Sequence, residues 1–137
     1  MKNLKHILAV FTLLLVAGFM SVGQVKAQGD VMNGVKAAIK AGSSKDLARN
    51  FNTVVELTLD GKEATNYSNT QAEFVMKNFF SKNAPMDFSY SHQGASEKGQ
   101  RYAIGTYTSK SGSYTVLVRL KETNGRYLIQ SMNFIKD

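Results

Sequence analysis

Residues 100–135 read QRYAIGTYTSKSGSYTVLVRLKETNGRYLIQSMNFI, and this stretch decides the fold. It breaks at Lys110-Ser111-Gly112 and at Asn124-Gly125 into three runs, Gln100–Ser109, Ser113–Glu122 and Arg126–Ile135. Each run is rich in Tyr, Thr, Val, Ile or Leu, residues that suit a pleated, half-buried surface. Asn-Gly is a favoured two-residue hairpin turn because both central positions take positive φ. Connectors this short force neighbouring strands antiparallel. In the middle run Tyr114, Val116, Val118 and Leu120 share one face, and Thr115, Leu117, Arg119 and Lys121 share the other. In the last run strict alternation leaves both faces apolar, with Leu128, Met132 and Phe134 on one and Tyr127, Ile129 and Ile135 on the other. A sheet solvated on one side alternates more cleanly than that, so an exposed apolar patch is expected on the side that helices leave uncovered.

Working backwards, Met86–Gln93 is a fourth strand, joined to the meander through Gly94–Gly99. Pro85 closes a helix over about Thr70–Lys82, since the residue before proline is pushed out of helical space. Ser68 or Asn69 caps that helix, and Gln71 stands in the capping-box position. Its expected apolar face is Ala72, Phe74 or Val75, and Phe79, with Glu73, Lys77 and Asn78 turned away. Thr53–Asp60 alternates as a strand with Val55, Leu57 and Leu59 on one side; Asp60-Gly61 turns it into a short return strand, Lys62–Tyr67. Asp30–Lys40 carries Val31, Val35, Ala38 and Ile39 at helical spacing and stops at Gly42, after which a short helix runs from Leu47 to about Phe51. The order is α-α-β-β-α-β-β-β-β, an α+β class.

The first 27 residues read as an address rather than as fold. Lys2 and Lys5 precede an apolar run from Ile7 to Met20, and Val25-Lys26-Ala27 is a small-residue end. That is the pattern of a secretory signal peptide, and the apolar core is shorter than the roughly 20 residues that span a bilayer. The expectation is export, periplasmic or secreted, with cleavage near Ala27/Gln28, a single domain over residues 28–137, and no membrane span afterwards. Loss of the three leader lysines lowers the formal net charge from +7 to +4. The remaining cations are scattered, without the basic stripe and aromatic interleaving of nucleic-acid binders, and no phosphate-binding glycine loop is present.

The chain has no Cys and two His. That rules out disulfides, thiolate zinc sites and a thiol nucleophile. No metal site and no cofactor is expected. Outside the leader His92 is the sole histidine, and it is the weak candidate for catalysis as a general base. Alternation sets it on one face with Met86, Phe88 and Tyr90, with no acid on that strand face to orient the ring. Glu56, Asp60 and Asp87 read as surface acids. Tyr90, Tyr102 and Tyr114 with His92 are the ligand-binding candidates, as apolar walls carrying phenol donors.

Two N-terminal helices, a hairpin, a third helix and four closing strands, ending in Ser113-Tyr114 through Arg119-Leu120 and Gly125-Arg126-Tyr127-Leu128-Ile129, together resemble the nuclear transport factor 2-like superfamily. A cystatin-like arrangement is the nearest rival, with one main helix and none between the strand pairs. More narrowly, leader and domain resemble small exported bacterial proteins of unknown function. The resemblance implies helices packed in the concave face of a strongly curved antiparallel sheet, enclosing a cone-shaped cavity. Members include isomerases, dehydratases, epoxide hydrolases and non-catalytic binding or assembly modules, so fold does not decide function. The expected function is an exported, non-catalytic module binding a small apolar ligand or a protein partner through the cavity or the sheet face, the latter by homodimerisation. The alternatives are a cavity enzyme using His92 with a tyrosine and a structural subunit of an envelope complex. One consequence is directly measurable: the intact mass of protein from a periplasmic fraction lacks residues 1–27, and a full-length mass in the membrane pellet would contradict the leader reading.

Overall fold

Helical spacing of Val35, Ala38 and Ile39 produces a helix over residues 31–41 (α1) whose apolar stripe is buried. The computed structural model describes residues 31–96 and 98–137, so the expected leader (residues 1–27) and Asp30, the expected first residue of this helix, lie outside the described residues. Gly42 ends α1 with φ +67°, its N–H donating to the Ile39 carbonyl while Ser43 N–H donates to Ala38, the paired bonds of a left-handed helix stop. Ser43 then caps α2 (Ser44–Ala48) by accepting from the Asp46 amide. This second helix lies earlier than the periodicity predicts. Phe51 is not its end but the first residue of β1 (Phe51–Leu59), where its ring is buried.

Leu59 to Lys62 form the first hairpin turn, with Asp60 and Gly61 both at positive φ, and β2 (Thr65–Ser68) returns along β1. Ser68 caps α3 (Asn69–Lys82) in a complete capping box with Gln71. Ala72, Met76, Phe79 and Phe80 form the buried stripe of α3, at the i, i+4, i+7, i+8 spacing of one helical face. Phe74, expected as a possible member of that face, is 61% exposed. The chain closes with β3 (Pro85–Ser96), β4 (Gln100–Ser109), β5 (Gly112–Thr123) and β6 (Arg126–Lys136), Asn124 and Gly125 both standing at positive φ in the last turn. β3 runs three residues past its expected end.

All six strands form one sheet in the order β2-β1-β6-β5-β4-β3. Every pairing is antiparallel except β1 with β6, which run parallel. That contact joins the hairpin to the meander across the whole chain. The architecture is α+β with a mostly antiparallel sheet. The helices supply ring and apolar contacts to one face, called inner below; the other is outer.

Three one-residue insertions re-aim the strands. In β6, Leu120 faces Ile129 while Arg119 faces Ser131, so Gln130 is an extra residue. It shifts the alternation: Ile129, Met132 and Phe134 are all buried inside, while Leu128, Ser131, Asn133 and Ile135 fall outside. Ile129 therefore leaves the face that strict alternation has it share with Ile135, while Leu128 and Ile135, the latter 44% exposed, stay on the outer side. In β3, Met86 and Ser91 are the extra residues. Phe88 is buried inward, Met86 is 63% exposed, and beyond Ser91 the faces exchange.

Phe79, Tyr107, Tyr114 and Phe134 fill the inner face with a four-ring cluster. All six centroid separations lie between 4.8 and 6.5 Å, the range of favourable aromatic contact. At this point the expected cone-shaped cavity is occupied by the protein's own side chains. The phenol hydroxyls end on Asn83, which follows α3: Tyr107 donates to its backbone carbonyl and Tyr114 to its Oδ1, at 3.0 Å. Ser111 also donates to Asn83 Oδ1, and Asn83 Nδ2 donates to the Phe79 carbonyl at 3.1 Å. Burial raises the Tyr107 pKa above the usual tyrosine value, with the Tyr114 phenol adding to it; burial does the same at Tyr90.

Two predictions follow from this packing. A Cβ built on Gly105 lies 2.8 Å from the Phe88 ring and from the Ser89 carbonyl oxygen. Gly105→Ala therefore lowers urea stability by about 1–3 kcal/mol; an unchanged midpoint would contradict the Phe88 placement. The raised phenols mean that the folded state holds protons which the unfolded chain releases near pH 10. Stability is accordingly level below about pH 9 and falls as pH climbs past about 10. Tyr107→Phe costs about 1 kcal/mol at neutral pH and shallows the alkaline decline, whereas an unaltered decline would remove Tyr107 from that account.

Candidate functional site

The sequence candidates divide between the two faces. Tyr90 points inward, and its hydroxyl donates to the Met32 carbonyl of α1 at 2.8 Å. Tyr114 is fully buried in the ring cluster. His92 lies on the outer face, because the Ser91 insertion turns it away from Phe88 and Tyr90 and sets it opposite Ile104. Its Nδ1 is 3.4 Å from the Ser91 hydroxyl rather than beside a carboxylate. Tyr102 is also on the outer face, 41% exposed, with its ring end laid over Gly94, where an added Cβ would sit 2.4 Å from the phenol oxygen. Thus His92 and Tyr102 share a face, Tyr90 and Tyr114 share the other, and the four do not converge on one space. Of the three acids, Asp87 pairs with Lys40 at 3.6 Å, both side chains more than half exposed, while Glu56 and Asp60 are exposed.

A different set is brought together by the sheet. Glu56 and Ser131 are register partners across β1–β6, Ser131 and Arg119 across β6–β5, and Arg119 and Tyr102 across β5–β4. Asn66 of β2 stands opposite Glu56 and completes the row. Strands lie about 4.8 Å apart, so Glu56 and Arg119 flank Ser131 at equal distances and roughly 10 Å from each other. Among the described residues neither side chain forms an ion pair. Asn66, Glu56, Ser131 and Arg119 of the row line a groove of about 380 Å³ that also takes in Val54, Lys121, Gln100 and Gln130, and it continues past Thr58, Leu117 and Asn133.

Chemically this is a polar, charge-bearing surface rather than an apolar pocket. It offers one carboxylate and two cations on rigid strands, with amides beside them. Among the described residues no acid and base of the groove stand at hydrogen-bonding distance from one another. Sequence alternation does place Glu56 and Arg119 on solvent-facing sides of their strands. It gives no hint that the parallel β1–β6 contact sets them symmetrically about Ser131.

Residues 32–134 match the family described as a domain of unknown function, DUF4783. The chain is 33% identical to a DUF4783 family protein of known structure from Bacteroides ovatus, over 76% of this chain and 93% of that one, with a TM-score of 0.72. An NTF-2 like protein of unknown function from Silicibacter pomeroyi shares the fold at 12% identity, over 85% of this chain and 98% of that one, with a TM-score of 0.61. A cystatin-like domain of unknown function from Nostoc punctiforme does so at 8% identity, over 79% of this chain and 74% of that one, with a TM-score of 0.63. None of the curated proteins compared matches the chain. With the third helix, the six-stranded sheet and its closing hairpin on view, the nuclear transport factor 2-like fold and the match over 32–134 agree, and the chain belongs to the DUF4783 family.

Proposed function

We propose that the protein is an exported, non-catalytic module that works by binding, and that the outer face of its sheet receives a second copy of the chain. The observation that carries this reading is the charge row Asn66–Glu56–Ser131–Arg119–Tyr102. A closed pair is commonly two-fold, and a two-fold interface must be self-complementary. Let two copies face each other with the axis running along β6 above Ser131. The axis then lays β1 of each copy over β5 of the other. Glu56 meets the other copy's Arg119 twice, Asn66 meets Tyr102 twice, and Ser131 meets itself.

The area is adequate. Five strands at about 4.8 Å and roughly eight residues at 3.3 Å give a face on the order of 600 Å² per copy, at the lower end of what specific interfaces bury. The inner face supports the same choice, since rings of this chain occupy it around Phe79 and Phe134. Export rests on the leader pattern of residues 1–27.

Charge exchange tests the pairing. Light scattering of the mature protein over a concentration series yields a dimer mass at the upper end. Arg119→Glu and Glu56→Arg each weaken pairing about tenfold or more, since each sets like charges opposite one another. An equimolar mixture of the two variants restores it, because each then supplies what the other lacks. A wild-type chain monomeric up to roughly 1 mM, or variants that pair undiminished, would overturn the proposal.

A further inference from the structure

On the helix side, between the β1–β2 turn and the C-terminal half of α3, lies a pocket of about 330 Å³. One side of it is apolar, made by Leu59, Tyr67, Val75 and Phe79, of which Phe79 is buried and the others half-buried; the rest of the lining is polar. Lys62 and Lys82 stand on the rim, exposed, and Asp60 is the rim's single acid. Among the described residues Lys62 and Lys82 form no ion pair and the Tyr67 hydroxyl forms no hydrogen bond. Asn78 and Asn83 add two amides to the lining. The Asn83 Oδ1 accepts from Tyr114 and Ser111 and one Nδ2 hydrogen goes to the Phe79 carbonyl, which leaves the second amide hydrogen for a ligand.

We infer that this pocket binds a small organic anion with an apolar body, an alkyl or aryl carboxylate. The apolar wall takes the body, as in pockets of this size generally. The carboxylate lies at the rim, where two lysines outnumber Asp60 and the Tyr67 phenol and the Asn83 amide can donate to it. A cationic amphiphile has the same body and the wrong head: two lysines oppose it and Asp60 alone could receive its charge. The pocket opens beside α3, whereas pairing uses the outer sheet face, so occupancy does not depend on the oligomeric state.

The test uses octanoate, with n-octylammonium and 1-octanol as matched controls of charge. Two-dimensional NMR of the mature protein titrated with octanoate shows shifts concentrated at residues 59–62, Tyr67 and 75–83. Octylammonium shows none there, and octanol binds more weakly than octanoate. Lys62→Gln and Lys82→Gln each raise the octanoate Kd about threefold, the scale of one exposed ion pair, and added salt raises it further. Tyr67→Phe weakens octanoate and leaves octanol binding unchanged, which separates the phenol donor from the wall. The two lysine variants are surface changes and Tyr67→Phe keeps the half-buried ring, so the fold is retained in all three, verified by unchanged spectra elsewhere. Equal binding of octylammonium, shifts confined to other regions, or no response at millimolar octanoate would each overturn the site.

Discussion

Two phenol hydroxyls carried into the core set the terms for the rest of the molecule. Tyr107 and Tyr114 point inward from neighbouring strands, and a buried hydroxyl without a partner costs about 1–3 kcal/mol. Both find theirs on Asn83, the residue after α3. The helix must therefore end where it does, and Pro85 two residues on enforces that. Once α3 stops at Asn83, Phe79 is delivered against Phe134 at 4.8 Å and the β4–β5 turn is tied in through Ser111. Ser109, a buried polar side chain within that turn, is satisfied by Ser111 and by the Gly112 carbonyl. One amide thus fixes the length of a helix, the position of a sheet and the contents of the space between them.

Much of this is legible in the sequence because it is local. Asn124-Gly125 and Asp60-Gly61 demand positive φ, and the chain adopts it at all four residues. Ser68 and Gln71 announce a capping box that forms in full. What is hidden is either long-range or a matter of a single residue. The parallel β1–β6 contact joins segments at least 75 residues apart in sequence, and no hairpin signal reports it. Gln130 and Ser91 are ordinary polar residues in strands, yet each is an insertion that exchanges the faces of everything beyond it. Periodicity counts residues and cannot count an extra one, and for that reason alternation sets His92 on the face of Phe88 and Ile129 on the face of Ile135. On α3 the difficulty is milder: between Phe74 and Val75 packing half-buries Val75 and leaves Phe74 exposed, and it also buries Met76 and Phe80, which the expected face did not include.

The candidate residues show the same division. Tyrosine in a strand is more often packing than binding, and Tyr114 is packing, while Tyr90 is tied by hydrogen bond to α1. Tyr102 keeps an exposed ring because Gly94 opposite it has no side chain to compete for the space. The enzyme alternative asks for an acid or base held at hydrogen-bonding distance from a partner in a shielded space. His92 sits instead on the outer face beside a serine hydroxyl. The groove across β1, β6 and β5, by contrast, is made by topology: its residues come from three strands whose order the sequence does not declare.

The Gln130 insertion links these observations. Without it, strict alternation would put Ile129 outside with Tyr127 and Ile135, and the outer face would carry a continuous apolar band that drives association without specifying it. With it, Ile129 joins the core and Ser131 arrives at the centre of the row, small and neutral between a carboxylate and a guanidinium. Hydrophobic contact is non-directional, whereas opposed charges reject most relative placements. A single extra residue in the strand therefore does two things at once: it carries Ile129 into the interior, and it sets Ser131 on the outer face between Glu56 and Arg119. On our proposal the orientation these charges select is the two-fold one, because a row with Glu56 and Arg119 equidistant from Ser131 complements its own rotated copy and few other surfaces as well.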